Sequence, residues 1–514
     1  IPLPWATPSR VATDAAAARL HDAIAAKAQA AGGDVAKFYA ARADAPLWTD
    51  AHGLTARGRA ARERIAAAAD DGLDPAAFHL PPASIDRDDP DAVAAAEVGL
   101  SAAAVAYART AAGGRIDPSR LGPNVEEHPW RPAPAEVLAK LAAAPDVARA
   151  LDGYNPQEPA FQALRRKLAA LRGEERSASS LPVIPEGTIL RPGMTDDRVA
   201  LLRTRLGMPE VESDADPDFY DDQLADAVRA FQERQGLADD ANVGRNTLAA
   251  LNAGASPVDP LPLVLANMER WRWLPRDLGA THVIVNVPEF MVRIVRDGQV
   301  VHEAKIVDGK PTNQTPIFSN AIQFIVVNPY WHVPKSIAAK EVIPHLMRDP
   351  SYLARQDMQV IYRGRPVDPG SVPWGSVNLS EFQFRQNPGA ENALGRIKFL
   401  FPNRFSVYLH DTPEKRLFQR TVRDYSHGCM RVQDPFAFAA ALLEGTSLPV
   451  ERIQAMVGGG EKWVKMPVKI PIHIVYFTAA VGPDGTLVTR PDIYGYDRST
   501  ETALGVQASK LAAR

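Results

Sequence analysis

Residues 408–432 read YLHDTPEKRLFQRTVRDYSHGCMRV and set the chemistry expected of the chain. Cys429 is the only cysteine; Ser426, His427 and Gly428 precede it, and Arg431 follows two residues on. A lone cysteine is most often a small buried hydrophobe. Here a polar, a titratable and a cationic side chain crowd the thiol, a poor composition for a core strand and a better one for a reactive cysteine. A thiol with an ordinary pKa of about 8.5 is mostly protonated at neutral pH and needs a base or a positive field to attack a carbonyl. His410, ending a strand upstream, can supply that base if its other ring nitrogen is held by an acceptor. Gly428 has no Cβ, so the amides of Gly428 and Cys429 are expected to face a developing oxyanion.

Outward from this segment the apolar residues alternate as in strands. His282 to Val287 and Met291 to Arg296 are rich in β-branched residues, and Asp297-Gly298 is a hairpin turn leading into Gln299 to Ile306. Further strands are expected at Ile322 to Val327, Ile397 to Phe401 and Phe405 to His410, and the tail from Val468 to Asp492 returns to strand. Asp434-Pro435 starts a helix over Phe436 to Leu443. Ser336 to Asn392 is a long insertion with mixed signals, and a loop of that length is usually functional, such as a lid.

Toward the N-terminus the period becomes helical. Val11 to Ala31, Thr55 to Asp71, Asp91 to Ala112 and Pro134 to Ala144 are alanine-rich with spaced Leu, Ile and Val. His21, His52, His79 and His128 show no partner pattern and read as surface or capping residues. Gly173 to Gly187, with Ser177, Ser179, Ser180, Pro182 and Pro185, reads as a linker. From Leu190 to Asn252, three short apolar stripes (Val199, Leu202, Leu206; Leu224, Val228, Phe231; Leu248, Leu251) predict a three-helix module, because no single helix could bury its own stripe.

Composition bounds the rest. A length of 514 residues suggests roughly three domains, and 46 % hydrophobic with 23 % charged residues is the balance of a folded chain. A net charge of -3 leaves no basic excess for phosphates, so no nucleic acid partner is expected. One cysteine excludes an internal disulfide framework, and His410, His427 and Cys429 show no fourth zinc ligand, so no metal and no cofactor is expected. The Ala-rich stretch Ala92 to Ala108, broken by Glu97 and Ser101, reads as a packed helix rather than a membrane span. Starting at Ile1 without a methionine or charged leader, the chain is expected to be a processed or trimmed form.

The pattern of His410, a spacer and then Ser426-His427-Gly428-Cys429 resembles the L,D-transpeptidase catalytic domain, also called the YkuD domain. The resemblance extends from Thr281 to about Leu443 and includes GKPTNQTP at 309–316, NPYWHVP at 328–334 and NALGRIKF at 392–399. Leu190 to Asn252 is similar to a three-helix peptidoglycan-binding module, with Ala241 where that module usually carries glycine. The helical region before it, with Pro46-Leu47-Trp48 and Asp71-Gly72-Leu73, is similar to the scaffold domain of the large YcbB-type enzymes. The fold class implied is multidomain α+β: a helical scaffold (1–176), the peptidoglycan-binding module (187–253), a mainly-β catalytic domain (260–454) with a capping insertion at about 336–394, and C-terminal strands (455–514) packing on it.

The resemblance implies a peptidoglycan L,D-transpeptidase in which Cys429 attacks the third residue of a tetrapeptide stem, expels D-Ala, and passes the acyl group to a diamino-acid amine, giving a 3→3 cross-link. His410 is the expected base, its ring held by a carbonyl near Asp411; His427 is the alternative base or an orienting group, and Ser426 fixes the turn. Arg431 is expected to pair with substrate carboxylates, and Arg423 either to do the same or to form a surface or structural ion pair. Tyr330, Trp331 and Trp374 are candidates for lining the donor groove, against their plainer reading as core aromatics. The same site could instead hydrolyse the acyl-enzyme as a carboxypeptidase or endopeptidase, or attach a lipoprotein lysine to the wall; a non-catalytic peptidoglycan-binding scaffold is the rival from another class. The implied setting is the Gram-negative periplasm, with an inner-membrane anchor in a removed N-terminal segment, cell-wall synthases as partners and carbapenems as inhibitors.

Overall fold

The structure is a computed structural model that describes residues 10–50, 52–178, 183–208, 216–253, 260–349 and 351–506. The linker residues Ser179, Ser180 and Pro182, and the chain ends at 1–9 and 507–514, lie outside them.

The N-terminal helices form where the alanine-rich periodicity places them, and local chemistry sets their ends. Thr55 caps Ala56–Ala66 by accepting from the Gly58 N–H, and Asp89 caps Pro90–Gly113 with Pro90 in its first turn. Pro90–Gly113 is long and apolar enough to cross a membrane, yet 67 % of its most apolar stretch is buried inside the protein. Its Glu97 explains why the Pro46-Leu47-Trp48 segment is held there. The buried carboxylate accepts from the Leu47, Trp48 and Thr49 amides and from the Thr49 and Tyr39 hydroxyls at 2.6–2.9 Å. Buried Asp71 is gripped by Arg64, Arg165 and the Tyr107 hydroxyl.

The three-helix module forms from Arg198–Arg205, Asp222–Arg234 and Arg245–Ala253 around Leu190, Val199, Leu202, Leu224 and Val228. Ala241 takes a left-handed φ of 58°, the conformation that favours glycine there. Helix Pro159–Ala178 ends the expected helical region and runs on through Gly173 to Ala178, where a linker was expected; it packs on Pro260–Trp271 through Phe161, Leu164, Leu168, Val264 and Met268.

The C-terminal half is built on one large sheet with strand order 397–400, 409–410, 430–432, 299–309, 291–296, 281–286, 462–475, 317–327 and 125–126. Ile397–Leu400 also pairs with 324–327, so the path closes on itself around a core of Val283, Val292, Ile306, Ile325, Phe399 and Met430. The Asp297-Gly298 turn has both residues at positive φ, as a tight hairpin requires. The last strand, Val125–Glu126, comes from the helical region and pairs in parallel with Ile317-Phe318. The scaffold is therefore stitched into the catalytic sheet rather than resting against it.

Three expectations change. The strand at Phe405 to His410 contracts to Leu409–His410, because Ser406 is left-handed (φ 57°) and the Asn403 side chain ties the Phe401 and Val407 carbonyls into a turn. The insertion folds into a unit of its own: a helical segment over 335–348, then strands Met358–Tyr362, Arg365–Val367 and Phe382–Gln386, paired with Trp331-His332 around Leu346, Val360 and Phe384. Beyond the expected C-terminal strands lies a helix, Tyr496–Leu504.

Candidate active site

Two short parallel strands carry the chemistry. Leu409 pairs with Met430 and His410 with Arg431, which brings Tyr408 alongside Cys429. Side chains two apart on a strand share a face. Tyr408 and His410 accordingly lie together with ring centroids 5.7 Å apart, and Cys429 and Arg431 lie opposite them.

The turn before Cys429 is fixed by a relay of hydroxyls. Ser426 Oγ donates to the Cys429 carbonyl at 2.5 Å and accepts from the Gly428 N–H at 3.0 Å. Thr315 Oγ1 donates to the Gly428 carbonyl and accepts from the Gly309 amide, both at 2.9 Å. Gly428 has φ 111°, a region that a Cβ disfavours. A Cβ on Gly309 would lie 2.1 Å from the Asn313 carbonyl oxygen, so the motif at 309–316 packs against the cysteine turn only with glycine at its start. One expectation is corrected here: the Gly428 amide is spent on Ser426 and is not free to face an oxyanion. Among the described residues the Cys429 amide has no acceptor.

His410 is buried, and its Nδ1 lies 2.5 Å from the Asp411 carbonyl. Only an N–H can make that contact, so Nδ1 carries the proton and Nε2 is left bare. Burial, with the Arg431 charge adding, pulls His410 down to about 3, so the ring is neutral at physiological pH. Asp411 anchors the turn that offers this carbonyl. Its carboxylate accepts from the Thr412 and Arg396 amides and from Lys415 Nζ, and Gly395 leaves room for it where a Cβ would come within 2.4 Å.

Cys429 is half-buried. Burial pushes its thiol up to about 11, opposed by hydrogen bonds from the Tyr408 amide and hydroxyl and by the charges of Arg431 and Lys398. At rest the sulfur is a thiol, not an anion, and its nearest acceptor is the Ser406 carbonyl at 4.0 Å. Tyr408 is the residue that sequence reading passed over. Its position opposite Cys429 depends on the parallel register, which no local pattern announces. Lys398, paired with His410 across the strands, places its ammonium 5.5 Å from the Tyr408 ring centroid.

The other expected residues scatter. His427 turns away from the thiol, and its Nε2 meets Glu341 of the insertion at 2.8 Å. Arg431 pairs with Glu414 at 2.6 Å on the rim of the site. Arg423 is buried and donates to the carbonyls of Ile306, Phe290 and Arg420, so its charge braces strands and is not presented to a ligand. Trp374 packs on Phe382 and Phe384 inside the insertion, with its indole N–H donated to the Pro369 carbonyl. Trp331 belongs to the same small core, and Tyr330 lies under Arg385 at the root of the insertion. Among the described residues no group of three His, Cys, Asp or Glu side chains is placed to hold a metal ion.

Three domain families match the chain. Residues 33–168 match the Scaffold domain, residues 199–251 a family described as "Putative peptidoglycan binding domain", and residues 280–453 the L,D-transpeptidase catalytic domain. A Haemophilus influenzae protein described as "Putative L,D-transpeptidase" is 32 % identical over 241 residues, 46 % of this chain. The match spans about half of that relative, 48 %. Among solved structures, an L,D-transpeptidase from Xylanimonas cellulosilytica is matched over 56 % of this chain and 98 % of its own, at 19 % identity and a TM-score of 0.18. An L,D-transpeptidase from Mycobacterium smegmatis is matched over 38 % of this chain and 58 % of its own, at 14 % identity and a TM-score of 0.20.

Proposed function

We propose that this chain, which carries an L,D-transpeptidase catalytic domain together with a peptidoglycan-binding domain, forms 3→3 cross-links between peptidoglycan stems through a Cys429 acyl-enzyme. The observation that supports this most is the tautomer of His410: with Nδ1–H held by the Asp411 carbonyl, Nε2 is a bare base on the face shared by Tyr408 and Cys429.

The steps follow from that arrangement. His410 Nε2 takes the thiol proton as Cys429 Sγ attacks the carbonyl of the third stem residue. The Cys429 amide meets the negative charge that develops on the carbonyl oxygen. Collapse breaks the C–N bond, and His410 returns its proton to the departing D-Ala amine, leaving a thioester. An acceptor amine then attacks the thioester, giving its proton to His410, and the thiol re-forms by taking that proton. Such work on the wall belongs in the cell envelope, in the periplasm of a Gram-negative cell.

The test is product analysis by mass spectrometry after incubation with purified disaccharide-tetrapeptide. A cross-linked dimer and free D-Ala with the native chain, both lost in Cys429→Ala, is the expected result. Tripeptide without dimer would replace transpeptidation by hydrolysis, and products unchanged in Cys429→Ala would remove the cysteine from the reaction.

A further inference from the structure

Beyond the thiol, the strand Lys462–Val475 borders an open groove of about 610 Å³ lined by Leu448, Arg452, Met456, Lys462, Trp463 and Lys465. No acidic side chain lines it, and Arg452, Lys462 and Lys465 make no ion pair among the described residues. Lysines on a strand edge ordinarily serve to prevent edge-to-edge pairing. That role requires neither a groove nor an exposed tryptophan, and Trp463 is 59 % exposed. Its ring is nevertheless held in place: the indole N–H donates to Glu461 at 3.1 Å, and Phe324 meets it edge-on with centroids 6.0 Å apart. Glu461 also accepts from the Tyr330 amide at 2.9 Å, so the same carboxylate fixes Trp463 and the root of the insertion.

A second feature joins this groove to the thiol. Lys398 is only 7 % exposed and has no carboxylate within ion-pair distance among the described residues. Its ammonium instead lies between two rings, 5.7 Å from the Trp463 centroid and 5.5 Å from the Tyr408 centroid. Aromatic faces offset part of the cost of an unpaired buried cation, and an arriving carboxylate would offset more. Trp463, Lys398, Tyr408 and Cys429 thus form one continuous series from groove to nucleophile.

We propose that this groove is a second substrate site, which takes a peptidoglycan strand: a sugar ring stacks on Trp463, and stem carboxylates meet Lys398, Lys462 and Lys465. Aromatic platforms suit sugar faces, and fixed cations suit carboxylates. The assignment of ligand rests on the function proposed above.

The test uses the full chain with Cys429→Ala, so that binding is read without turnover, and compares disaccharide-tetrapeptide with the bare tetrapeptide by calorimetry. The sugar-bearing ligand should bind about tenfold tighter, and Trp463→Ala should erase that difference. Lys462→Gln with Lys465→Gln should weaken both ligands and flatten the salt dependence. Trp463→Ala should keep the thermal unfolding midpoint of its parent, since the ring is 59 % exposed, so a lost difference reports the groove and not the fold. The peptidoglycan-binding module is common to every variant, so differences report the groove. Equal affinities for the two ligands in the parent, or a difference that survives Trp463→Ala, would overturn the proposal. Absence of cross-linked product with the sugar-dependent difference intact would reject the reaction and keep the groove; normal product with no such difference would do the reverse.

Discussion

Replacing Tyr408 with phenylalanine isolates one hydroxyl and tests how the thiol is activated. Tyr408 lies alongside Cys429, where its amide and hydroxyl hold the thiol down, and burial still leaves it at about 11. Proton transfer to a His410 pulled down to about 3 is uphill by roughly 11 kcal/mol, taking about 1.4 kcal/mol per pKa unit. That fits beneath a barrier of about 17 kcal/mol, which corresponds to about one turnover per second. It rules out a resting thiolate–imidazolium pair as the main species, so charge on sulfur develops during attack. A hydrogen bond to a charged group is worth about 1.5–3 kcal/mol, and Tyr408→Phe should therefore slow acylation about 10- to 100-fold.

The assay is carbapenem acylation of Cys429, followed by intact mass from pH 6 to 10, with iodoacetamide alkylation alongside. In the parent, alkylation should rise tenfold per pH unit across the whole range. At pH 7.5 it should run about 300-fold below a free thiol, because the thiolate fraction is about 0.0003 rather than about 0.1. Tyr408→Phe should lower the carbapenem rate at every pH while leaving the fold intact. An alkylation plateau below pH 9 in the parent, or an unchanged carbapenem rate in Tyr408→Phe, would refute this account of activation.

Other perturbations read other parts of the molecule. Burial raises Glu127 from 4.5 to about 8, with Ser319 its hydrogen-bonding partner. The folded state keeps this proton where the unfolded chain has lost it, so the stabilisation is complete below about pH 4.5 and is lost as pH rises to 8. Glu127→Gln should thus raise stability at pH 7 by about 3 kcal/mol and flatten the pH dependence between 5 and 8, as measured by denaturant unfolding. Glu97→Ala removes the acceptor shared by three amides and two hydroxyls and should cost at least about 3 kcal/mol, seen as early unfolding of the helical scaffold. The His427–Glu341 pair is largely solvent-exposed, so Glu341→Ala should change global stability by less than about 1 kcal/mol. Hydrogen exchange over 335–348 should nevertheless quicken, since that contact joins the insertion to the cysteine turn.

What could be read from the sequence was local. The Asp297-Gly298 turn, the caps at Thr55 and Asp434 and the crowding around Cys429 each reflect chemistry within a few residues, and each stands where it was expected. What escaped depends on distant pairing. Tyr408 matters only because Leu409 and Met430 are in parallel register, and Lys398 only because its strand lies beside His410. For Arg423 the sequence left a substrate contact and a structural role open. Its guanidinium reaches the carbonyls of Ile306, on a strand, and of Phe290, in the turn before another, both more than a hundred residues away, and so braces the fold. The insertion resisted reading because its small sheet draws one strand, Trp331-His332, from before it and the others from within.

The strand Ile317–Val327 explains why these separate pieces can act as one device. At its start it pairs with Val125–Glu126 of the scaffold, and Ser319 there contacts both Glu127 and His473. Along its second half it pairs with Ile397–Leu400, the strand that carries Lys398 and lies beside His410. At its end Asn328 takes a left-handed φ of 52° and is locked by the Met456 and Gly460 carbonyls and the Gly458 amide, which aims the chain into the insertion. The scaffold, the Lys398 strand and the insertion thus meet along a single rigid element, and Cys429 is reached from it through Ile397–Leu400 and Leu409–His410. Catalytic groups need to be held within about half an ångström, and a strand paired on both sides does this better than a linker. The scaffold's contribution would then be positional: loosening Val125–Glu126 should quicken hydrogen exchange in the insertion and in Ile397–Leu400 together.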